Sequence, residues 1–264
     1  VLEWAGNFVQ HWGFLCKGTS LEEQARRARL FCMDEEGLGL DEASANEWVQ
    51  KYMKRRAGIH SDLLLDNQCE QALRAARKLG LTGDTVKTWA AEVVRLNGHI
   101  YRDCSMIEQF KKTMVVVESH FGFSAYEAYV WTATFMLRRG CPLENKTLVE
   151  LYTEARAFAL SSDGLGLEPE GAKRWAQDYV SRNGYVHGAK SLGEQYAAAK
   201  AFAQSPEGLH VTSGLARAWA LDFLNKCGVI DGNQSVDEQH QEATEFAKSS
   251  LMMISSYAKR WAAR

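Results

Sequence analysis

Proline is scarce in this chain, with three in 264 residues, so little in it interrupts a helix. No apolar run approaches the roughly 20 residues that a membrane span requires. The opening VLEWAGNFVQHWG has no basic region ahead of an apolar core, so neither a spanning helix nor a signal peptide is expected. Neither sign of charge dominates: the net charge is −2, which gives no bulk attraction to nucleic acid or acidic membranes. Cys16, Cys32, Cys69, Cys104, Cys141 and Cys227 stand singly, as free thiols do in a reducing, cytoplasmic compartment. Two glycosylation patterns, Asn145-Lys146-Thr147 and Asn233-Gln234-Ser235, make a secretory location the alternative. There is no HExxH, no Walker loop and no Cys or His pair at metal-ligand spacing. Gly37-Leu38-Gly39 and Gly164-Leu165-Gly166 lack the third glycine of a dinucleotide loop. Seven histidines (11, 60, 99, 120, 187, 210 and 240) share no recurring acid or nucleophile. No metal, no cofactor and no enzymatic activity are expected.

What the chain does have is a period. Trp4, Trp48, Trp89, Trp131, Trp175, Trp219 and Trp261 occupy one slot, at spacings of 44, 41, 42, 44, 44 and 42 residues. Three residues before the Trp stands a small apolar residue: Ala45, Val86, Ala128, Ala172, Ala216, Ala258. Four and five residues after it comes an apolar pair, such as Tyr52-Met53, Phe135-Met136 and Tyr179-Val180. A glycine follows at nine or ten: Gly13, Gly58, Gly98, Gly140, Gly184, Gly228. A fixed period of this length marks stacked repeats.

Each period contains two helix signals. Ser20, Ser105, Thr147, Ser191 and Ser235 each precede a Glu by three residues, the capping-box pattern that starts a helix A. Helix A ends at a glycine loop (Gly37, Gly80, Gly122, Gly164, Gly208), where glycine suits a left-handed residue. Asp41, Thr82, Ser124 and Thr212 are then candidate caps for helix B, with Glu168 in that place in the fourth unit. Helix B carries the Trp and is expected to bury positions −3, 0, +1, +4 and +5 counted from it. The second unit lacks the capping box; a helix A starting near Asp66 or Asn67, about one turn shorter, would account for the 41-residue spacing. The expected fold is all-α, a right-handed solenoid of helix A/helix B hairpins in one array over 1–264. A half repeat spans 1–13, full repeats span 20–58, 59–98, 105–140, 147–184 and 191–228, and an incomplete last repeat spans 235–264. Because both ends fall mid-unit, the chain reads as a segment of a longer array.

The pattern resembles helical-hairpin repeats in general, tetratricopeptide repeats among them. Gly164-Leu165-Gly166-Leu167 followed by Ala172 and Trp175 resembles the Gly-x-Gly-apolar loop and Trp-bearing helix of Sel1-like repeats. The period is longer than the 34 residues of the tetratricopeptide unit and falls in the HEAT/armadillo range. The resemblance implies adaptor-type binding and no particular ligand.

Two features beyond the repeat core are candidates for that binding. A basic residue recurs seven positions after the Trp (Arg55, Arg138, Arg182, Lys226), with His11 in the leading half repeat and Arg95 displaced by one. Helix C-termini attract cations anyway, and Asp178–Arg182 and Asp222–Lys226 have ion-pair spacing. Glu36, Asp163 and Glu207 stand before the A–B loops, which places acids along the opposite edge. In the third repeat Val130, Ala133 and Leu137 replace the polar residues of the fourth, and Met114 to Val117 are apolar all round, as at a partner or self-association contact. The expected function is a scaffold that binds a protein or peptide. Alternatives are an RNA- or DNA-binding array that uses the basic edge, or a repeat segment of a larger enzyme or effector. Trp48, Trp89, Trp131, Trp175, Trp219 and Trp261 are read as structural.

Overall fold

A computed structural model describes residues 19–101, 104–140, 146–186, 191–229 and 235–251, with Ala258 and Ala262. Trp4, His11, His187, Cys16, Cys141, Asn145, Asn233 and Trp261 lie outside the described residues. The described residues form eleven long helices and no strand. In chain order these are α1 (Leu21–Met33), α2 (Glu42–Arg56), α3 (Leu65–Lys78), α4 (Asp84–Asn97), α5 (Met106–Phe121), α6 (Ala125–Arg139), α7 (Leu148–Leu160), α8 (Pro169–Asn183), α9 (Leu192–Gln204), α10 (Ser213–Cys227) and α11 (Val236–Ser249). Odd helices are A and even helices are B. The chain forms two compact units, Val1–Cys141 and Pro142–Arg264. Within each unit A packs on B in a hairpin, A on the next A, and B on the next B, so each unit is a two-layered stack of hairpins.

The caps form largely where the sequence places them. Full capping boxes start α5, α7, α9 and α11 from Ser105, Thr147, Ser191 and Ser235, and a further one starts α6 from Ser124 and Glu127. At α1 only half of the box forms. Ser20 accepts from the Glu23 amide, but the Glu23 carboxylate turns to Arg26 and Arg27, which hold it down at about 2. Asp41 caps α2 through the Ser44 amide. Thr82 does not cap: α4 begins at Asp84, after Gly83. Thr212 and Glu168 make no side-chain cap bond, and Pro169 at the first turn of α8 removes one amide that would need a partner.

The short second period has a different origin from the one expected. α3 starts at Leu65 and is one residue longer than α1, α7 and α9; the shortening lies in the A–B loop. Eight-residue loops join A to B in the first, fourth and fifth hairpins (34–41, 161–168, 205–212), whereas the second uses 79–83 and the third only 122–124. In the short loops Gly80 and Gly122 are left-handed, with φ of 78° and 68°. In the long loops the left-handed slot comes two residues after the first glycine, at Gly39, Gly166 and His210. The first glycine serves close approach instead: a Cβ on Gly164 would lie 2.1 Å from the Phe158 carbonyl oxygen.

His210, at φ 52°, is the non-glycine residue in that left-handed slot. The conformation costs an L-residue roughly 1–2 kcal/mol, and glycine returns about 0.4–1 kcal/mol of that through unfolded-chain entropy. His210→Gly is therefore expected to stabilise the second unit by about 0.5 kcal/mol. A small upward shift in urea midpoint would show it; a loss of stability would refute the strain.

Helix B buries −3, +1, +4 and +5 in all five described copies, as expected. The Trp slot departs from expectation. Trp89 and Trp131 are buried (4% and 8% exposed), but Trp48, Trp175 and Trp219 are half-buried. Residues at −3 and +1 are small, as in Ala172 and Ala176 or Ala216 and Ala220, and they occupy the centre of the helix contact. The bulky indole is displaced to the seam. There it lies flat on its own +4 ring, as in Trp48–Tyr52 (5.3 Å, 8°) and Trp175–Tyr179 (5.2 Å, 14°), with a Phe of helix A behind it.

Cap carboxylates give the fold an acid limit. Backbone and hydroxyl donors of Ser105, Ser124, Thr147 and Ser235 hold Glu108, Glu127, Glu150 and Glu238 below their ordinary value of 4.5. Lowered folded values mean that this stability is fully present above pH 4.5 and is lost as pH falls through the folded values. Thermal melting should therefore be flat from neutral pH to about 5 and fall below it. Replacing Glu108, Glu127, Glu150 and Glu238 with Gln should flatten the acid limb; an unchanged limb would exclude these caps as its cause.

Candidate functional site

Of the candidate residues, Arg55, Arg138, Arg182 and Lys226 are exposed at the C-terminal ends of their B helices. Lys226 pairs with Asp222, but Asp178 and Arg182 do not pair. Arg95 is half-buried, with a guanidinium held by Glu92 at 2.7–3.1 Å, and is drawn out of the exposed set. Capping of carbonyls on the preceding helix falls to the next position, eight after the Trp. Asn97 Nδ2 donates to the Lys54 carbonyl (3.0 Å), Arg139 to the Leu96 carbonyl, and Cys227 Sγ to the Ser181 carbonyl (3.3 Å). Burial lowers the pKa of Arg139, with Arg138 adding to the effect. These bonds tie each B helix to the one before it in its unit. Carbonyls of the preceding B helix are thus met by Asn97, Arg139 and Cys227 rather than by the +7 cations.

In the third hairpin Val130 is 45% exposed, and Ala133 and Leu137 are half-buried. Ala133 holds the +2 slot. One and two hairpins earlier, the +2 carbonyls of Ala91 and Gln50 accept from the indoles of Trp131 (3.2 Å) and Trp89 (3.3 Å). Ala133 of α6 thus holds the slot that in α2 and α4 receives the indole of the following B helix. The run Met114 to Val117 is not uniformly exposed: Val115 faces outward, whereas Val116 and Val117 are buried.

A recurring residue that the sequence reading passed over closes the hairpins. Gln24, Gln68, Gln109 and Gln195, four residues after the helix A cap, are buried. Gln68 Nε2 donates to the Leu63 and His99 carbonyls (2.7 and 2.9 Å), and its Oε1 accepts from the His99 amide (2.9 Å). Gln24 does the same at Gly58, and Gln195 at Val229. In each of these three cases the partner lies ten residues after the Trp, so the carboxamide ties the start of helix A to the chain just past helix B. Leu151 replaces this Gln in the fourth hairpin. The regular recurrence of Gln at cap +4 was the available signal.

Neighbouring A helices meet with an axial offset. Tyr152 near the start of α7 stacks edge-on against Phe202 late in α9 (5.9 Å), and Tyr196 of α9 does so against Phe246 of α11 (5.5 Å). In the first unit Glu22 of α1 reaches Arg74 and Lys78 of α3 (3.6 and 3.8 Å). This offset opens a groove between consecutive A helices, bordered in two cases by the chain just past helix B. Between α1 and α3 the groove is about 330 Å³ and charged, with Glu22, Glu23, Arg26, Arg29 and Lys78. A second cleft, about 370 Å³ and mixed, lies where the segments 61–65 and 99–104 meet Lys112 of α5, with Asp62, Leu64, His99, Tyr101 and Cys104 in its walls. Between α7 and α9 the groove is about 460 Å³ and mostly apolar, with Leu148, Tyr185, Val186, Ala198, Ala201 and Phe202 among its walls. The three clefts beside the A helices thus differ in the chemistry of their walls.

No group of three or more His, Cys, Asp or Glu among the described residues could hold a metal ion. No helix among them is long and apolar enough to cross a membrane. Compared with protein-family models, with curated proteins and with solved structures, the chain matches none.

Proposed function

We propose that this chain is a non-enzymatic interaction scaffold that binds a protein or peptide through the clefts beside its A helices. The observation that carries this reading is the recurrence of clefts beside the A helices with a changing lining: charged, then mixed, in the first unit, and apolar in the second. A catalytic site needs one fixed set of groups, whereas a reader of extended segments needs repeated sites of similar shape and different chemistry. Clefts of about 300–1,000 Å³ are the usual size for ligand contact. The resemblance to tetratricopeptide-type hairpins agrees with an adaptor role. The free thiols of Cys32, Cys69, Cys104 and Cys227 agree with a cytoplasmic setting.

Selection of peptides from a random display library on the intact chain tests the scaffold. Bulky substitutions in a groove, Lys112→Trp in the second cleft or Ala201→Trp between α7 and α9, should each weaken a subset of selected peptides about tenfold with helicity unchanged. If no groove substitution affects any selected peptide, the reading fails.

The exposed +7 cations favour a second reading, an array that tracks RNA or DNA phosphates. Affinity would then fall steeply with salt, and reversing Arg138, Arg182 and Lys226 to Glu would abolish it. Binding of single-stranded oligonucleotides that is weak at low salt or indifferent to the reversals would remove that reading.

A further inference from the structure

We infer that the groove between α7 and α9 is a docking site for a peptide segment in which a large apolar side chain stands beside an Arg or Lys. This builds on the scaffold function above and adds the chemistry of the ligand.

Two small side chains of α9 line the groove. Seven and ten residues after their caps, α1 carries Arg27 and Leu30, and α5 carries Lys112 and Val115; α9 has Ala198 and Ala201 at those places. The space these alanines leave is walled by Leu148, Val149, Val186 and Phe202, which offer apolar contact. The polar side chains at its edge are mostly engaged within the protein. The Thr147 hydroxyl and the Glu150 carboxylate complete the α7 capping box (2.8 Å). The Ser205 hydroxyl donates to the Phe202 carbonyl (3.2 Å) and accepts from the Gly208 amide (2.9 Å).

Glu207 is the one charged residue lining the groove. It is exposed and forms no ion pair among the described residues. A cationic ligand group would meet a carboxylate there without displacing a partner already in place. Tyr185, 44% exposed, adds an aromatic wall. A ring face attracts a cation, with a preference for Arg, and its amphipathic edge suits a site half in water. Apolar volume, a carboxylate with no ion pair among the described residues and an aromatic wall lie in one groove, and together they select an apolar–cationic pair. An apolar–anionic segment would set a negative charge against Glu207 and gain nothing from the ring.

Three labelled short peptides with a Gly/Ser background test this, carrying a Trp-Arg, a Trp-Glu or a Ser-Arg pair and titrated into the full chain by fluorescence anisotropy. The Trp-Arg peptide should bind at least about tenfold more tightly than either other peptide. Ala201→Trp, at an exposed helix position, should fill the groove and remove that preference; Ala198→Leu serves as a milder filling. Glu207→Lys should reverse the charge selectivity so that the Trp-Glu peptide binds better than Trp-Arg. If Trp-Arg binding persists undiminished in both filling variants, or if Glu207→Lys leaves the order of peptides unchanged, the assignment is overturned. Should library-selected peptides still respond to Lys112→Trp in that case, the scaffold function stands and only this ligand chemistry falls. If they respond to no groove substitution, both fall.

Discussion

Trp131→Ala is expected to destabilise the first unit by about 3–5 kcal/mol, as full truncation of a buried aromatic does. The indole contacts Phe121 of its own hairpin (6.2 Å) and lies over Phe135 (4.8 Å), and its N–H reaches back to the Ala91 carbonyl of the preceding B helix. Removing it opens a cavity at the seam between two hairpins, where relaxation is limited because both neighbours are helices held in their own hairpins. A unit of this size loses about 4 °C of melting temperature per kcal/mol. Trp219 is half-buried, so Trp219→Ala should cost distinctly less, about 1–3 kcal/mol. Urea unfolding followed by far-ultraviolet dichroism measures both. Equal losses would mean that seam burial does not set the Trp contribution.

The second large effect lies in the carboxamide clamp. Gln68→Ala deletes three hydrogen bonds and leaves the His99 amide and the Leu63 and His99 carbonyls to find new partners in a part-buried site. At about 1–3 kcal/mol for each buried group left unsatisfied, partly relieved by water, the expected loss is about 3 kcal/mol. Hydrogen exchange should show it locally, with the His99 amide losing protection before the interior of α4. Gln68→Glu separates the hydrogen bonds from the volume. Its carboxyl must be protonated to donate, and burial raises its pKa, so stability would be present at low pH and lost as pH rises through the folded value. A Gln68→Glu protein as stable as the parent at neutral pH would show that the clamp contributes little.

The clamp also shows where reading the sequence stopped short. Ser105 and Glu108 are three residues apart, so their bond is set by local geometry and could be read from spacing alone. Gln24 and Gly58 are 34 residues apart, and Gln68 and His99 are 31. On a helical wheel such a Gln only interrupts the apolar stripe, and its purpose emerges once helix B has folded back to bring its C-terminus alongside. The 41-residue period misled for a related reason. A deletion in a repeat can fall in a helix or in a loop without changing the period, and the choice of 79–83 depends on how α3 and α4 pack.

The exposed cations at Arg55, Arg138, Arg182 and Lys226 were visible as a row, since a surface position repeats with its helix. That the capping of carbonyls would pass to Asn97, Arg139 and Cys227 was not visible, because the acceptors Lys54, Leu96 and Ser181 belong to the preceding hairpin. A one-residue step turns a helical side chain by about 100°, which separates a group facing solvent from one facing a neighbour.

By itself the sequence determined the alternation of two helices, most of their starts, and the small and apolar residues by which they pack, because these depend on neighbours within one or two turns. Only tertiary structure decided that the indoles sit on a seam, and that the grooves open between A helices with walls of differing character. Those outcomes depend on how far one helix slides along the next before Tyr152 meets Phe202 or Glu22 meets Arg74. The slide is a compromise among side-chain volumes from separate hairpins, and no single stretch of the chain contains it.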